Sequence, residues 1–274
     1  MEIHGLVDLL ADAGSVVAFT GAGISTESGI PDFRGPQGLW TKIDPSEFTI
    51  ENYVNNPEHR RRVWRMRMER ASERYEPNAG HLALADLERV GKLGCVITQN
   101  IDGLHQAAGN TAVLELHGTT HRVKCLGCDA RMPNDAVFAR IRAGDDDPRC
   151  EDCGGLLKSA TVSFGEMLPT DVVEEAFMRA ESADTVLVVG SSLVVYPAAG
   201  IPLAATRMGA RIAIVNAEPT PMDDLASVVL RGAAGEILPA AIEGLRARLS
   251  PAFYGEGVVQ VDDDGLEDRN GRRP

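Results

Sequence analysis

Six short, largely apolar runs set the fold class. Ser15-Val16-Val17-Ala18-Phe19-Thr20 is followed directly by Gly21, and similar runs recur at residues 95–98, 113–116, 185–189, 211–215 and 227–230. Unbroken apolar runs of this length suit parallel strands covered on both faces. Between them lie stretches of helical character, at residues 3–13, 81–90, 104–108, 172–180, 198–208 and 234–249. Strands alternating with helices predict an α/β fold, a doubly wound, mostly parallel Rossmann-like sheet.

Two segments break the alternation. Residues 36–77 are polar, Arg-rich and helical in flavour, and residues 119–163 carry four of the five cysteines. The expected organisation is therefore a Rossmann-like domain from residues 1–35, 78–118 and 164–249, and a smaller helical plus zinc-ribbon module from 36–77 and 119–163. Residues 250–274 form a polar, acidic tail expected to be disordered.

Cys125-Leu126-Gly127-Cys128 and Cys150-Glu151-Asp152-Cys153 are two C-x-x-C pairs with 21 residues between them. Four thiolates so spaced make a closed tetrahedral Zn²⁺ site, structural rather than catalytic because no position is left for water. Redox pairs or buried thiols are the alternatives. Cys95 opens an apolar strand and reads as a core residue.

The formal net charge is −13. An acidic surface repels phosphate backbones and attracts basic partners such as Lys-rich tails. Asp129, Asp135, Asp145, Asp146, Asp147, Glu151 and Asp152 crowd the cysteine segment, so no nucleic-acid binding is expected there. No run approaches the length of a membrane span, and residues 1–5 lack signal-peptide character, so a cytoplasmic protein without membrane association is expected.

The turn after the first strand reads Gly21-Ala22-Gly23-Ile24-Ser25-Thr26-Glu27-Ser28-Gly29. Glycines there permit a tight turn and let backbone N–H groups approach a pyrophosphate at a helix N-terminus. The spacing departs from G-x-G-x-x-G at Glu27 and Ser28, and no acidic residue follows at the distance that holds a ribose, so a plain dehydrogenase fits poorly.

Downstream come Gly29-Ile30-Pro31-Asp32-Phe33-Arg34-Gly35, Gln99-Asn100-Ile101-Asp102, Leu116-His117-Gly118, the cysteine pairs, Phe164-Gly165-Glu166, Gly190-Ser191-Ser192 and Asn216-Ala217-Glu218. In this order the motifs resemble the sirtuins over roughly residues 5–248. The resemblance implies NAD-dependent removal of acyl groups from protein lysines, with NAD consumed, nicotinamide released and an O-acyl-ADP-ribose formed. It implies acylated lysine-containing proteins or peptides as partners. Protein mono-ADP-ribosyl transfer is the second enzymatic reading, and an NAD-sensing or zinc-ribbon binding module the third.

Several roles follow from the resemblance. His117, an imidazole suited to proton transfer near neutral pH, would be the base that takes a ribose hydroxyl proton. Asn100 would orient the ribose, Asp102 and Ile101 would meet the nicotinamide carboxamide, and Gln99 would hold ribose hydroxyls. Phe33 would shield the reactive carbon, and Asp32 and Arg34 would belong to a closing loop. Gly21, Ala22, Gly23, Ser25, Gly190, Ser191 and Ser192 would line the dinucleotide site, with Asn216, Ala217 and Glu218 at the adenosine ribose and Ala234 near adenine. Phe164, Gly165, Glu166 and Val194 would flank an extended acyl-lysine peptide. Arg67 and Arg70 occupy the spacing at which some sirtuins carry a Tyr-x-x-Arg pair for acidic acyl groups such as succinyl; a solvated helix face is the competing reading.

Overall fold

The structure is a computed structural model, and it describes residues 2–35 and 38–249. Strands β1 (Val16–Thr20), β2 (Leu93–Thr98), β3 (Val113–Glu115), β7 (Thr185–Val189), β8 (Arg211–Val215) and β9 (Val228–Leu230) form a six-stranded sheet in the order β3-β2-β1-β7-β8-β9. Every pairing in it is parallel. This is the doubly wound order, with its switch point between β1 and β7. The intervening β4 (Gly118–Cys125), β5 (Arg131–Pro133) and β6 (Leu157–Thr161) form a separate antiparallel sheet in the order β5-β4-β6.

Alternation along the parallel strands sends neighbours to opposite faces. Val16 and Ala18 of β1 pack with Leu187, Val189, Ala213 and Val215 beneath α1 (Glu2–Asp12), α4 (Ala79–Arg89) and α9 (Ala234–Leu249). Val17 and Phe19 pack with Cys95, Ile97, Val188 and Ile214 beneath α7 (Thr170–Glu181) and α8 (Gly200–Arg207). All five β1 residues are buried, which is why that strand reads as an unbroken apolar run. The short α5 (Leu104–Ala108) joins β2 to β3, and α2 (Ile50–Asn55) leads into α3 (Pro57–Arg70). A third core forms around the small sheet. In it Trp64 of α3 meets Val123, Leu157 and, from α6 (Asn134–Arg142), Val137 and Phe138.

Local capping positions the helices. Asn78 accepts from the Gly80 and His81 amides at the start of α4 while its Nδ2 donates to Ile24 O at 2.7 Å, tying that helix to the turn after β1. Asn56 accepts from His59 N ahead of Pro57, starting α3.

One expectation is corrected. The segment after β1 is a 3-10 stretch, Ala22–Ser28, rather than an α-helix. Its Gly21, Gly23 and Ile24 amides are spent on Val189 O, Gly190 O and Gly21 O, so the glycines there serve chain approach rather than a helix N-terminus. Glu27, at the position that spoils the dinucleotide fingerprint, accepts from Gly235 N at 2.7 Å at the start of α9. The expected tail, residues 250–274, lies outside the described residues.

Candidate active site

The carboxyl ends of β1 and β7 meet at the switch point, where ligands of such sheets bind. Gly23 N donates to Gly190 O at 2.8 Å, and Gly21 N to Val189 O at 3.0 Å. A Cβ on Gly23 would stand 2.8 Å from the Gly190 Cα, and one on Gly190 would overlap the Ile24 amide nitrogen. Gly190 also has φ +61°. The two turns thus touch through main chain alone. Gly190→Ala is expected to lower thermal stability and to raise KM for the dinucleotide at least about tenfold, from left-handed backbone strain plus displacement of the first turn. Unchanged melting and steady-state constants would contradict this.

Gln99, Asn100, Ile101 and Asp102 follow β2. Asn100 is buried, and its Nδ2 donates to Gly21 O at 3.2 Å and to Ser25 Oγ at 3.0 Å. Ser25 Oγ in turn donates to Asp102 Oδ2 at 2.8 Å, and Asp102 Oδ1 accepts from Leu104 N. Gln99 Nε2 donates to Ser191 Oγ at 2.7 Å, bridging the β2 and β7 ends. His117 follows β3, and its Nδ1 lies 2.8 Å from Gln99 O. A carbonyl can only accept, so Nδ1 carries the proton and the neutral ring keeps its lone pair on Nε2. Burial holds His117 below its usual range, the Gln99 bond only partly offsetting this, so the ring is neutral near pH 7.

Behind this network lie histidines that the sequence reading does not single out. His81 Nε2 is 3.4 Å from Ser25 Oγ, and His105 Nε2 is 2.9 Å from Thr20 Oγ1, which donates to Thr98 Oγ1. The two rings lie 4.9 Å apart. Burial draws His81 down to about 4 and His105 to about 3, so both are neutral supports. Their signal was only a polar residue inside a buried helical face.

A continuous cavity of about 2340 Å³ runs past these groups. Its volume exceeds that of a single small-ligand pocket, which leaves room for a dinucleotide and an inserted side chain together. Gly21, Ala22, Gly23, Ser25, Asp32, Phe33, Arg34, Gln99, Asn100, Ile101, Asp102 and His117 line it, as do Gly190, Ser191, Ser192, Asn216, Ala217, Glu218 and Ala234. Phe164, Gly165, Glu166, Arg67 and Arg70 also line it. Val194 is exposed and off the wall, which Val195 and Tyr196 occupy instead. Trp40, also missed in the sequence, packs 5.0 Å from Phe33 and 5.8 Å from Phe164 between ring centroids, joining the Asp32–Arg34 loop to the Phe164 segment.

Arg67 and Arg70 differ. Arg70 is exposed. Arg67 lies over Trp64, and its Nη2 donates to Thr120 O at 2.8 Å. Burial draws Arg67 down to about 10. Its Nε is buried without a hydrogen-bond partner, and among the described residues no carboxylate pairs with it. Lys158, which also lines the cavity, has its Nζ 2.7 Å from Glu166 Oε2, and Lys124 Nζ donates to Glu166 Oε1 at 2.9 Å. Burial pulls Lys158 down to about 8 against the opposing pull of Glu166.

The sulfurs of Cys125, Cys128, Cys150 and Cys153 all lie within 4.8 Å of one another, with 3.5 Å between Cys125 and Cys153 and 3.8 Å between Cys128 and Cys150. Sulfurs arranged tetrahedrally at about 2.3 Å from zinc stand about 3.8 Å apart. Gly127 N and Gly155 N donate to Cys125 Sγ and Cys153 Sγ, as thiolates require. The donor set fits a structural zinc and leaves no site for a substrate.

A family model described as the Sir2 family matches residues 21–197. An NAD-dependent protein deacetylase 2 of Streptomyces coelicolor is 53% identical over 234 residues, 84% of this chain and 97% of that protein. The chain belongs to the Sir2 family. An NAD-dependent protein deacylase 2 of Archaeoglobus fulgidus is 46% identical over 248 residues, 89% of this Sir2 chain and 96% of that protein. A solved structure described as Sir2-p53 peptide-NAD+ is 38% identical, with a TM-score of 0.79, covering 89% of this Sir2 chain and 98% of that one.

Proposed function

We propose that this Sir2 chain is an NAD-dependent protein-lysine deacylase that moves the acyl group onto ADP-ribose and releases nicotinamide. The observation that carries the reading is convergence: an Nε2 lone pair on His117, the Asn100–Ser25–Asp102 network and the touching Gly21 and Gly190 turns all face one cavity. NAD, consumed as co-substrate, supplies the nicotinamide leaving group and the ribose that accepts the acyl group. Gly21, Gly23 and Gly190 let the two turns close on each other at the cavity wall, where the diphosphate would rest, and Asn216 and Glu218 would meet the adenosine ribose. Asn100 and Asp102, fixed through Ser25, hold the nicotinamide end. His117 takes a ribose hydroxyl proton at Nε2 while Gln99 O fixes its tautomer. Phe33 covers the reacting carbon, and the acyl-lysine enters beside Phe164 and Gly165.

Purified protein with NAD and an acetyl-lysine peptide should release nicotinamide and a mass corresponding to acetyl-ADP-ribose in equal amounts. Nicotinamide release without acyl peptide, with ADP-ribose on protein, would replace this reading by mono-ADP-ribosyl transfer. One observation favours an acidic acyl chain as an additional substrate, namely the half-buried Arg67 without a carboxylate partner among the described residues. Succinyl-lysine should then be processed at a rate comparable to acetyl-lysine. Arg67→Met should depress the succinyl reaction about tenfold or more and the acetyl reaction little. Equal loss on both would remove this reading.

We also propose the division into a dinucleotide-binding domain of 1–35, 78–118 and 164–249 and a module of 36–77 and 119–163. The separate core around Trp64 and the small sheet supports it. A cytoplasmic setting agrees with five cysteines outside any disulfide among the described residues, and no described helix is long and apolar enough to cross a membrane. Acylated proteins are the partners, and the acidic surface argues against nucleic acid.

A further inference from the structure

The Phe164–Glu166 segment is held by the small sheet in a way the reaction itself does not require. Ser163 N donates to Glu166 Oε2 at 2.7 Å, and Glu166 N donates to Ser163 O at 3.0 Å, closing a turn with Phe164 and Gly165 at its tip. The Phe164 main chain is already used on one side: Phe164 N donates to Phe48 O, and Ile50 N donates to Phe164 O. Gly165, with φ +86°, takes no backbone hydrogen bond among the described residues. The main chain available to an added strand is therefore that of the tip.

The carboxylate that closes this turn is gripped from below by two strands. Lys158 of β6 reaches Glu166 Oε2 and also donates to Thr161 O at 2.6 Å, at the end of its own strand. Lys124 of β4 holds the other oxygen. Lys158 and Lys124 face each other in the β4–β6 register. The Lys158 and Glu166 side chains are only 4% and 13% exposed, so the pair is rigid and poorly screened. Lys124 adjoins Cys125, and the chain leaving β6 bonds back to the active site through Val162 N and His117 O at 2.8 Å.

We propose that Lys158, assisted by Lys124, is a positioning residue for the acyl-peptide, acting through Glu166 to fix the Ser163–Glu166 turn against which the peptide main chain pairs. This rests on the reading of Phe164 and Gly165 as the peptide edge. A surface ion pair would do little of this work; a largely covered carboxylate with three donors sets the backbone that carries it. The two lysines make the small sheet part of substrate recognition without touching substrate.

The test is a double-mutant cycle read in steady-state constants for both substrates. Lys158→Met should raise KM for an acetyl-lysine peptide about tenfold or more while KM for NAD stays within about twofold. In a Glu166→Gln background the same substitution should add less than about twofold, because its partner is already lost. Lys124→Met should move peptide KM in the same direction by a smaller factor, and it carries the same cycle if Lys158→Met does not fold. An unchanged peptide KM, or effects of Lys158→Met and Glu166→Gln that simply multiply, would overturn the proposal. Phe164→Ala separates the two readings. If it raises peptide KM while the lysine variants do not, the clamp is wrong and the peptide edge stands; if none of them does, the peptide edge is wrong as well.

Discussion

His117→Ala should reduce deacylation turnover by about 10²–10⁴-fold, the range for loss of a positioned general base, while the dissociation constant for NAD changes only a few-fold. The reason is local. The imidazole is fixed at Nδ1 by Gln99 O, and its function resides at Nε2 rather than in the glycine turns. Burial lowers the affinity of His117 for a proton. The unprotonated, active ring therefore persists from alkaline pH down through neutrality, and activity is lost only as pH falls below the ordinary histidine value of about 6.5. kcat/KM should be level around pH 7 and decline on the acid side. A His117→Ala enzyme at parent rates, or a parent profile that falls already between pH 8 and 7, would remove His117 as the base.

Loss of zinc should have the largest effect on stability. The small sheet has a modest core, in which Cys125 and Cys150 themselves pack beside Trp64, Val123 and Leu157. Four thiolates around one ion supply much of its folding energy, on the order of 10 kcal/mol in isolated zinc modules. If only about 5 kcal/mol of that survives in the intact chain, Tm falls by roughly 10–20 °C at the 2–4 °C per kcal/mol typical of this size. Cys125→Ser, or chelation under reducing conditions, should show that fall, and native protein should release one zinc per chain to a chromogenic chelator. Peptide KM should rise with it, because Lys124 lies on the same strand and Glu166 depends on both lysines. Metal-free protein with parent melting behaviour would contradict the structural role. A disulfide alternative is disfavoured by sulfur separations of 3.5 and 3.8 Å, far beyond a bonded pair near 2.05 Å.

Strands closed on both faces and one long amphipathic helix were the most legible in the sequence. The strand runs at 185–189 and 211–215, and the helix from residue 234 to 249, carry the bounds expected of them. β2 begins at Leu93, earlier than the apolar run suggests, because exposed Gly94 interrupts its pattern. The small sheet and α6 were hidden among turn residues, since three- to eight-residue strands around a metal need little periodicity of their own. At the site, motif residues converged on the cavity wall, whereas His81, His105, Trp40 and Lys158 were not legible. Each acquires its part from a partner outside its own helix or strand: Ser25 for His81, Thr20 for His105, Phe33 and Phe164 for Trp40, Glu166 for Lys158.

The central claim is spatial, that one dinucleotide spans the glycine turns and reaches His117. A crystal structure of the protein with ADP-ribose and an acyl-lysine peptide tests it in a single experiment. The account predicts the diphosphate against Gly21–Gly23 and Gly190–Ser192, the distal ribose within hydrogen-bonding reach of His117 Nε2, and the acyl-lysine entering beside Phe164 and Gly165. A diphosphate bound elsewhere, or a distal ribose turned away from His117, would contradict it.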